Sequence, residues 1–323
     1  MRHIAINTFK PSDEWKKRAA DATEVLLAKK PEDRIAYIKS KDDVWKEFGK
    51  ELSAHFGSKC WYTDAANYGA RLDVEHFRPK ARVVELTVED CKEAGNASLL
   101  KLADPQREGY WWLAFDEENL MLCAQVMNRE DKRNFFPLHK DSPVASGATR
   151  NVWRNEIPVL LDPRRLDDVC LVDYDDTGSM RPREEVEPWD SLRVVITNEC
   201  FGLSRFQPLT EGRQKTWQKC TGLIEQYVRA AKKQNDEGTP NTILQQEKNG
   251  AMNGLRQLLD AGEPFSTVAA SCLRNSPFAW ARALASLPQH PVAPAAPVQK
   301  QAAPVAPAKK KATLAVSART KKK

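Results

Sequence analysis

Nowhere in the 323 residues does an apolar run approach the roughly 18 residues that suggest a membrane span, so no membrane partner is expected. The first residues, Met1-Arg2-His3-Ile4, contain no apolar h-region, so no secretory leader is expected either. Seven cysteines, an odd number without tight clustering, argue against a disulfide scaffold and fit a reducing cytoplasm. Histidine is scarce, with five in the chain. No acid follows Glu263, whereas eight lysines and arginines follow residue 288. The net charge of +6 is therefore a basic tail on a nearly neutral body, and whole-chain charge does not by itself point to nucleic acid. There is no internal repeat.

What is present suffices for a folded body. Hydrophobic residues make up 41% of the chain and nine are tryptophans, a composition that excludes wholesale disorder. The expected class is α+β and mostly helical, in four regions. Residues 1–57 read as helical: apolar residues at 44, 45, 48, 52 and 56 share one face, Asp42 can cap that helix and Gly57 can close it. Residues 58–139 mix short apolar runs with turns and a dense set of Trp, His, Asp and Asn. Residues 140–287 read as mainly helical. Within them 159–163 is a short strand or turn, 191–200 is ambiguous, 212–234 is a helix, 235–240 a loop, and helices lie near 242–260 and 277–287. Residues 288–323 are almost entirely Pro, Ala, Val and Lys and read as a disordered tail able to gather phosphates.

The chemistry concentrates in the second region. His76 lies in Leu72-Asp73-Val74-Glu75-His76-Phe77-Arg78-Pro79-Lys80, a short strand stopped by proline. An imidazole titrates near neutral pH, so a His beside a carboxylate can serve as general base, and the cations that follow can hold phosphates. Downstream, Asn119 opens an apolar strand, and Asn128 follows on what reads as a short charged helix. Other residues have plainer readings. His139 is a surface histidine, Asp73 a supporting or surface acid, and His55 a complement to a helix dipole. The tryptophans pack the core, and residues 129–133 form a solvated helix face.

Strand with Glu-His, strand opened by Asn, helix carrying Asn: this order resembles the HNH nuclease motif, a ββα fold that cups one divalent metal. More closely it is similar to the Septu-type HNH nucleases (PtuB-like), through Lys59-Cys60-Trp61-Tyr62, Glu75-His76-Phe77-Arg78-Pro79-Lys80, Trp112-Leu113-Ala114-Phe115-Asp116, Glu118-Asn119-Leu120, Asn128 and Phe136-Pro137-Leu138. The resemblance implies an HNH ββα-metal core embedded in helices. It implies a metal-dependent endonuclease that hydrolyses DNA phosphodiester bonds, with RNA left open, as the effector of a bacterial anti-phage system with an ATPase partner. The alternative is a non-catalytic nucleic-acid or protein-binding subunit of such a complex. Carried over, His76 is the general base and Glu75 and Asn128 are ligands of Mg²⁺ or Mn²⁺. Asn119 holds the loop through backbone hydrogen bonds, and Arg78 and Lys80 hold phosphate. Glu75 and His76 would point to opposite faces of a regular strand, so both reach one phosphate only if the strand ends or bulges there.

The family pattern also includes a structural zinc held by two Cys-x-x-Cys pairs. Here Cys60 is present, but Thr63, Ala124 and Met127 stand at the other positions and Cys123 is one residue out of register. Zinc is therefore expected to be absent, with Met127, Trp61 and Tyr62 bracing the unit by packing.

Overall fold

The computed structural model describes residues 1–66, 72–84, 97–101, 107–125, 132, 134–238 and 241–286. Asn128, Met127 and the basic tail lie outside the described residues.

Three helices open the chain: α1 (Asp13–Leu27), α2 (Pro31–Ser40) and α3 (Asp42–Phe56). The Ser12 side chain starts α1 by accepting from the Trp15 N–H at 3.1 Å. Trp15, Ala19, Ala22 and Leu26 then form its buried stripe, as Val44, Phe48 and Leu52 do on α3. Trp15 stacks on Phe48 with ring centroids 4.2 Å apart and donates from its indole N–H to the Val44 carbonyl at 2.8 Å. Asp42 does not cap α3: Lys41 occupies the cap position, and Asp42 and Asp43 sit in the first turn, where their charges complement the helix dipole.

Helix α3 lies against an antiparallel pair, β1 (Leu72–His76) and β2 (Leu120–Ala124), in the register Glu75↔Met121 and His76↔Leu120. Gly49 permits this approach, since a Cβ there would lie 2.5 Å from Val74 Cγ2. A second pair, β3 (Val172–Tyr174) with β4 (Met180–Pro182), follows the short α4 (Leu166–Cys170). The rest is helical: α5 (Pro188–Cys200), α6 (Gln207–Glu237), α7 (Thr242–Leu258), α8 (Ser266–Arg274) and α9 (Ala279–Ala285).

Several boundaries differ from expectation. The ambiguous 191–200 is helix, and Arg193, Ile196, Thr197 and Cys200 are buried at helical spacing along it. Helix α6 runs three residues into the expected loop and stops where Gly238 turns left-handed, at φ 64°. Residues 159–163 take the turn alternative and bend, and a bridge between Leu138 and Pro158 is the sheet-like contact before them. Helix α8, nine residues long and rich in small side chains, was not anticipated. Its cap comes from elsewhere in the chain. Asp64 accepts from the Thr267 N–H at 3.1 Å and from the Ser266 hydroxyl at 3.2 Å, while its other oxygen pairs with buried Lys59 at 2.8 Å. One large core joins the N-terminal helices, both sheets and α5, and a smaller one lies between α6, α7, α8 and α9. All nine tryptophans are in or against these cores.

Candidate active site

Strand β1 ends at His76 because Phe77-Arg78-Pro79 bends away and Pro79 has no N–H for a ladder. Asn119 holds that bend. Its side-chain oxygen accepts from the Arg78 N–H at 2.7 Å, and its amide donates to the carbonyls of Arg78 at 3.0 Å and Leu113 at 3.2 Å. The Asn119 carbonyl accepts from the Phe77 N–H at 2.9 Å. Buried Asn119 thus satisfies several main-chain groups that have no water to turn to. Asn119→Ala is expected to lower stability by about 2–3 kcal/mol, because it leaves those buried groups unpaired. Denaturant unfolding measures it, and a loss below about 1 kcal/mol would remove this role.

His76 is buried, and both ring nitrogens are engaged. Nε2 lies 3.0 Å from the Ala114 carbonyl oxygen, which can only accept, so Nε2 carries the proton. Nδ1 is therefore the unprotonated nitrogen, and the Lys80 ammonium donates to it at 3.1 Å. Burial, then the Lys80 charge, holds the imidazole well below its ordinary pKa, so the neutral, proton-accepting form prevails at neutral pH. Trp45 of α3 meets the ring edge-on at 5.2 Å. A cleft of about 1000 Å³ opens between α3 and the end of β1, with Glu75, His76, Lys80 and Asn134 in its lining.

Glu75 has a partner that sequence reasoning missed. The fully buried Lys132 ammonium bonds its carboxylate and also donates to the carbonyls of His76 at 2.7 Å and Phe77 at 3.1 Å. Lys132 is thus not on a solvated helix face, as expected for 129–133, but is the cation that compensates Glu75. Burial raises the Glu75 pKa, and Lys132 opposes that rise. Lys132 carries no sequence signal, because one lysine among Arg129, Glu130, Asp131 and Arg133 looks like a surface charge.

Arg78 also departs from expectation. Its guanidinium is buried, donating from Nε to Glu156 at 3.1 Å and from Nη2 to the Trp153 carbonyl at 3.1 Å, so it braces the loop instead of presenting itself to phosphate. Lys80 stays half-buried at the cleft, with burial lowering its pKa and Glu75 opposing that shift. The plainer readings fare as follows. His139 is partly covered and packs edge-on against Trp189, and His55 lies 3.1 Å from the Thr8 hydroxyl. Asp73 is half-buried on β1 and lines the cleft.

Of the expected Mg²⁺ or Mn²⁺ ligands only Glu75 is among the described residues, since Asn128 lies outside them. The Glu75 carboxylate is committed to an ammonium, and among the described residues no three His, Cys, Asp or Glu side chains gather to hold a metal. At the zinc-like turn, Cys60 Sγ accepts from the N–H groups of Ala124 at 3.2 Å and Thr63 at 3.4 Å. Burial opposes its thiolate, but hydrogen bonds from Cys123 and from Thr63 outweigh it and bring Cys60 down to about 6. Cys123, donating to Cys60 and buried, is pushed up. Trp61 and Tyr62 beside them are fully buried. Two sulfurs fall short of the four ligands of a structural zinc. Purified protein is expected to carry no stoichiometric zinc by elemental analysis, and one tightly held ion per chain would contradict this.

The chain is 30% identical over 177 residues to the Septu protein PtuB of Bacillus mycoides, a match covering 54% of this chain and 51% of that protein. The chain thus spans about half the length of the curated relative it matches. The resemblance to the Septu PtuB-like proteins read from the motifs stands on this comparison. No protein-family model and no solved structure matches the chain. Among the described residues no helix is long and apolar enough to cross a membrane.

Proposed function

We propose that the chain hydrolyses phosphodiester bonds of DNA as the nuclease of an anti-phage Septu system, acting with an ATPase partner. The observation that carries this reading is the fixed tautomer of His76, whose bare Nδ1 faces Lys80 at the cleft. Nδ1 takes the proton of an attacking water. Lys80 caps Nδ1 while the cleft is empty. A phosphate oxygen competes for that ammonium, so substrate binding seats the phosphate and frees the base together. Asn119 keeps the bend rigid enough to hold this geometry. Mg²⁺ or Mn²⁺, with Glu75 and Asn128 as ligands, belongs to the reading through the family resemblance, and no step is assigned to it.

One observation favours a second reading, a non-catalytic binding subunit: the Glu75 carboxylate is committed to Lys132. Nicking of supercoiled plasmid separates the two. The nuclease reading expects nicks with Mg²⁺ or Mn²⁺, with or without the co-purified ATPase, and their loss on chelation. An RNA substrate in parallel assigns the nucleic acid. No product under any of these conditions would favour the binding subunit.

A further inference from the structure

A groove of about 590 Å³ adjoins the His76 cleft and shares Lys80 with it. Arg34 of α2, Arg82 and Trp111 also line it. The Arg34 guanidinium lies 3.7 Å from the centroid of the Trp111 ring, a stacking distance, so the two make one flat platform. Both members are fixed. Arg34 Nε donates to the Lys29 carbonyl at 3.3 Å, and the Trp111 indole N–H donates to Glu108 at 3.2 Å. The other Glu108 oxygen accepts from the Gly147 N–H, so the acid in this groove is already engaged. The floor is rigid as well. Tyr110 N–H donates to the Pro79 carbonyl at 2.7 Å, and a Cβ at Gly109 would lie 1.8 Å from the Ala81 carbonyl oxygen, an approach that glycine alone allows.

Two cations, Lys80 and Arg82, beside a planar platform that carries a third, Arg34, match a nucleotide strand. Cations gather successive phosphates without reading sequence, and every base has a flat face that stacks on a guanidinium or indole. A base held in a duplex cannot turn its face to a protein surface. We propose that this groove takes the nucleotide next to the scissile phosphate as an unpaired strand. The scissile phosphate sits at Lys80, its neighbour at Arg82, and the intervening base stacks on the outer face of Arg34. The proposal rests on the nuclease reading and deepens it by naming the substrate class, nucleic acid with an unpaired stretch at the cut.

Binding of the full-length protein to fluorescent oligonucleotides under chelation, without turnover, tests it. Single-stranded DNA and RNA 12-mers and a DNA duplex are compared for wild type, Arg34→Ala and Arg34→Lys, with 2-aminopurine placed at successive positions. Arg34→Ala is expected to weaken single-strand binding about tenfold and to abolish stacking quench at one position. Duplex affinity should change less than twofold. Arg34→Lys keeps the charge but loses the plane, so it should recover less than half of the logarithmic loss. Effects on both strands would rest the proposal on base and phosphate alone, and an effect confined to DNA or to RNA would support it with recognition of the sugar added. Equal affinities for Arg34→Ala and wild type on both strands would overturn it. If no condition yields cleavage while Arg34-dependent quench persists, the nuclease reading fails and the groove stands. If cleavage occurs and Arg34→Ala changes neither Kd nor KM, the groove fails and the nuclease reading stands.

Discussion

His76→Ala is expected to slow phosphodiester cleavage by about 10²–10⁴-fold, the usual contribution of a positioned general base. The ring is buried and bonded to the Ala114 carbonyl, so the substitution also costs some stability. Rates are therefore compared well below the unfolding midpoint, at saturating DNA, with His76→Gln as a second variant that fills part of the space. Both variants should bind DNA at least as well as wild type, because the platform is untouched and Lys80 loses only its bond to Nδ1. Cleavage near the wild-type rate in either variant would take His76 out of the chemistry.

The second large effect is on folding. Lys132→Met should destabilise the protein by about 3–5 kcal/mol, because it strands the buried Glu75 carboxylate without its counter-charge. Removing both charges together is far less costly than removing one, so Glu75→Gln added to Lys132→Met should restore more than half of the loss. Chemical denaturation of the two single variants and the double variant gives the coupling directly. A loss under about 1 kcal/mol for Lys132→Met, or additive losses in the double variant, would show that the pair does not hold the strand end.

Such pairs explain what could and could not be seen beforehand. Helix α3 was legible because an amphipathic stripe repeats at the helical period, and β1 because a short alternating run meets a proline. Asn119 stood out through its place at the head of an apolar strand. Lys132 and the true task of Arg78 were invisible, since a buried ion pair is made by two distant segments and each half looks like an ordinary surface charge. Arg78 finds Glu156 78 residues away, and Lys132 finds Glu75 57 residues away. Helix α8 escaped for a related reason: Asp64, which caps it, lies about 200 residues upstream. At the strand end the two side chains have different partners, Glu75 the Lys132 ammonium and His76 the Ala114 carbonyl and Lys80. β1 terminates at His76, and both Glu75 and His76 reach the lining of one cleft.

The most direct measurement is cleavage of DNA in water enriched in ¹⁸O, by the wild-type protein and by His76→Ala, each with the ATPase partner and Mg²⁺ or Mn²⁺ present. If His76 activates water, the wild type incorporates one ¹⁸O into each new terminal phosphate, and His76→Ala yields almost no labelled ends in the same time. Unlabelled ends from the wild type, or labelled ends formed at equal rates by both proteins, would contradict the account.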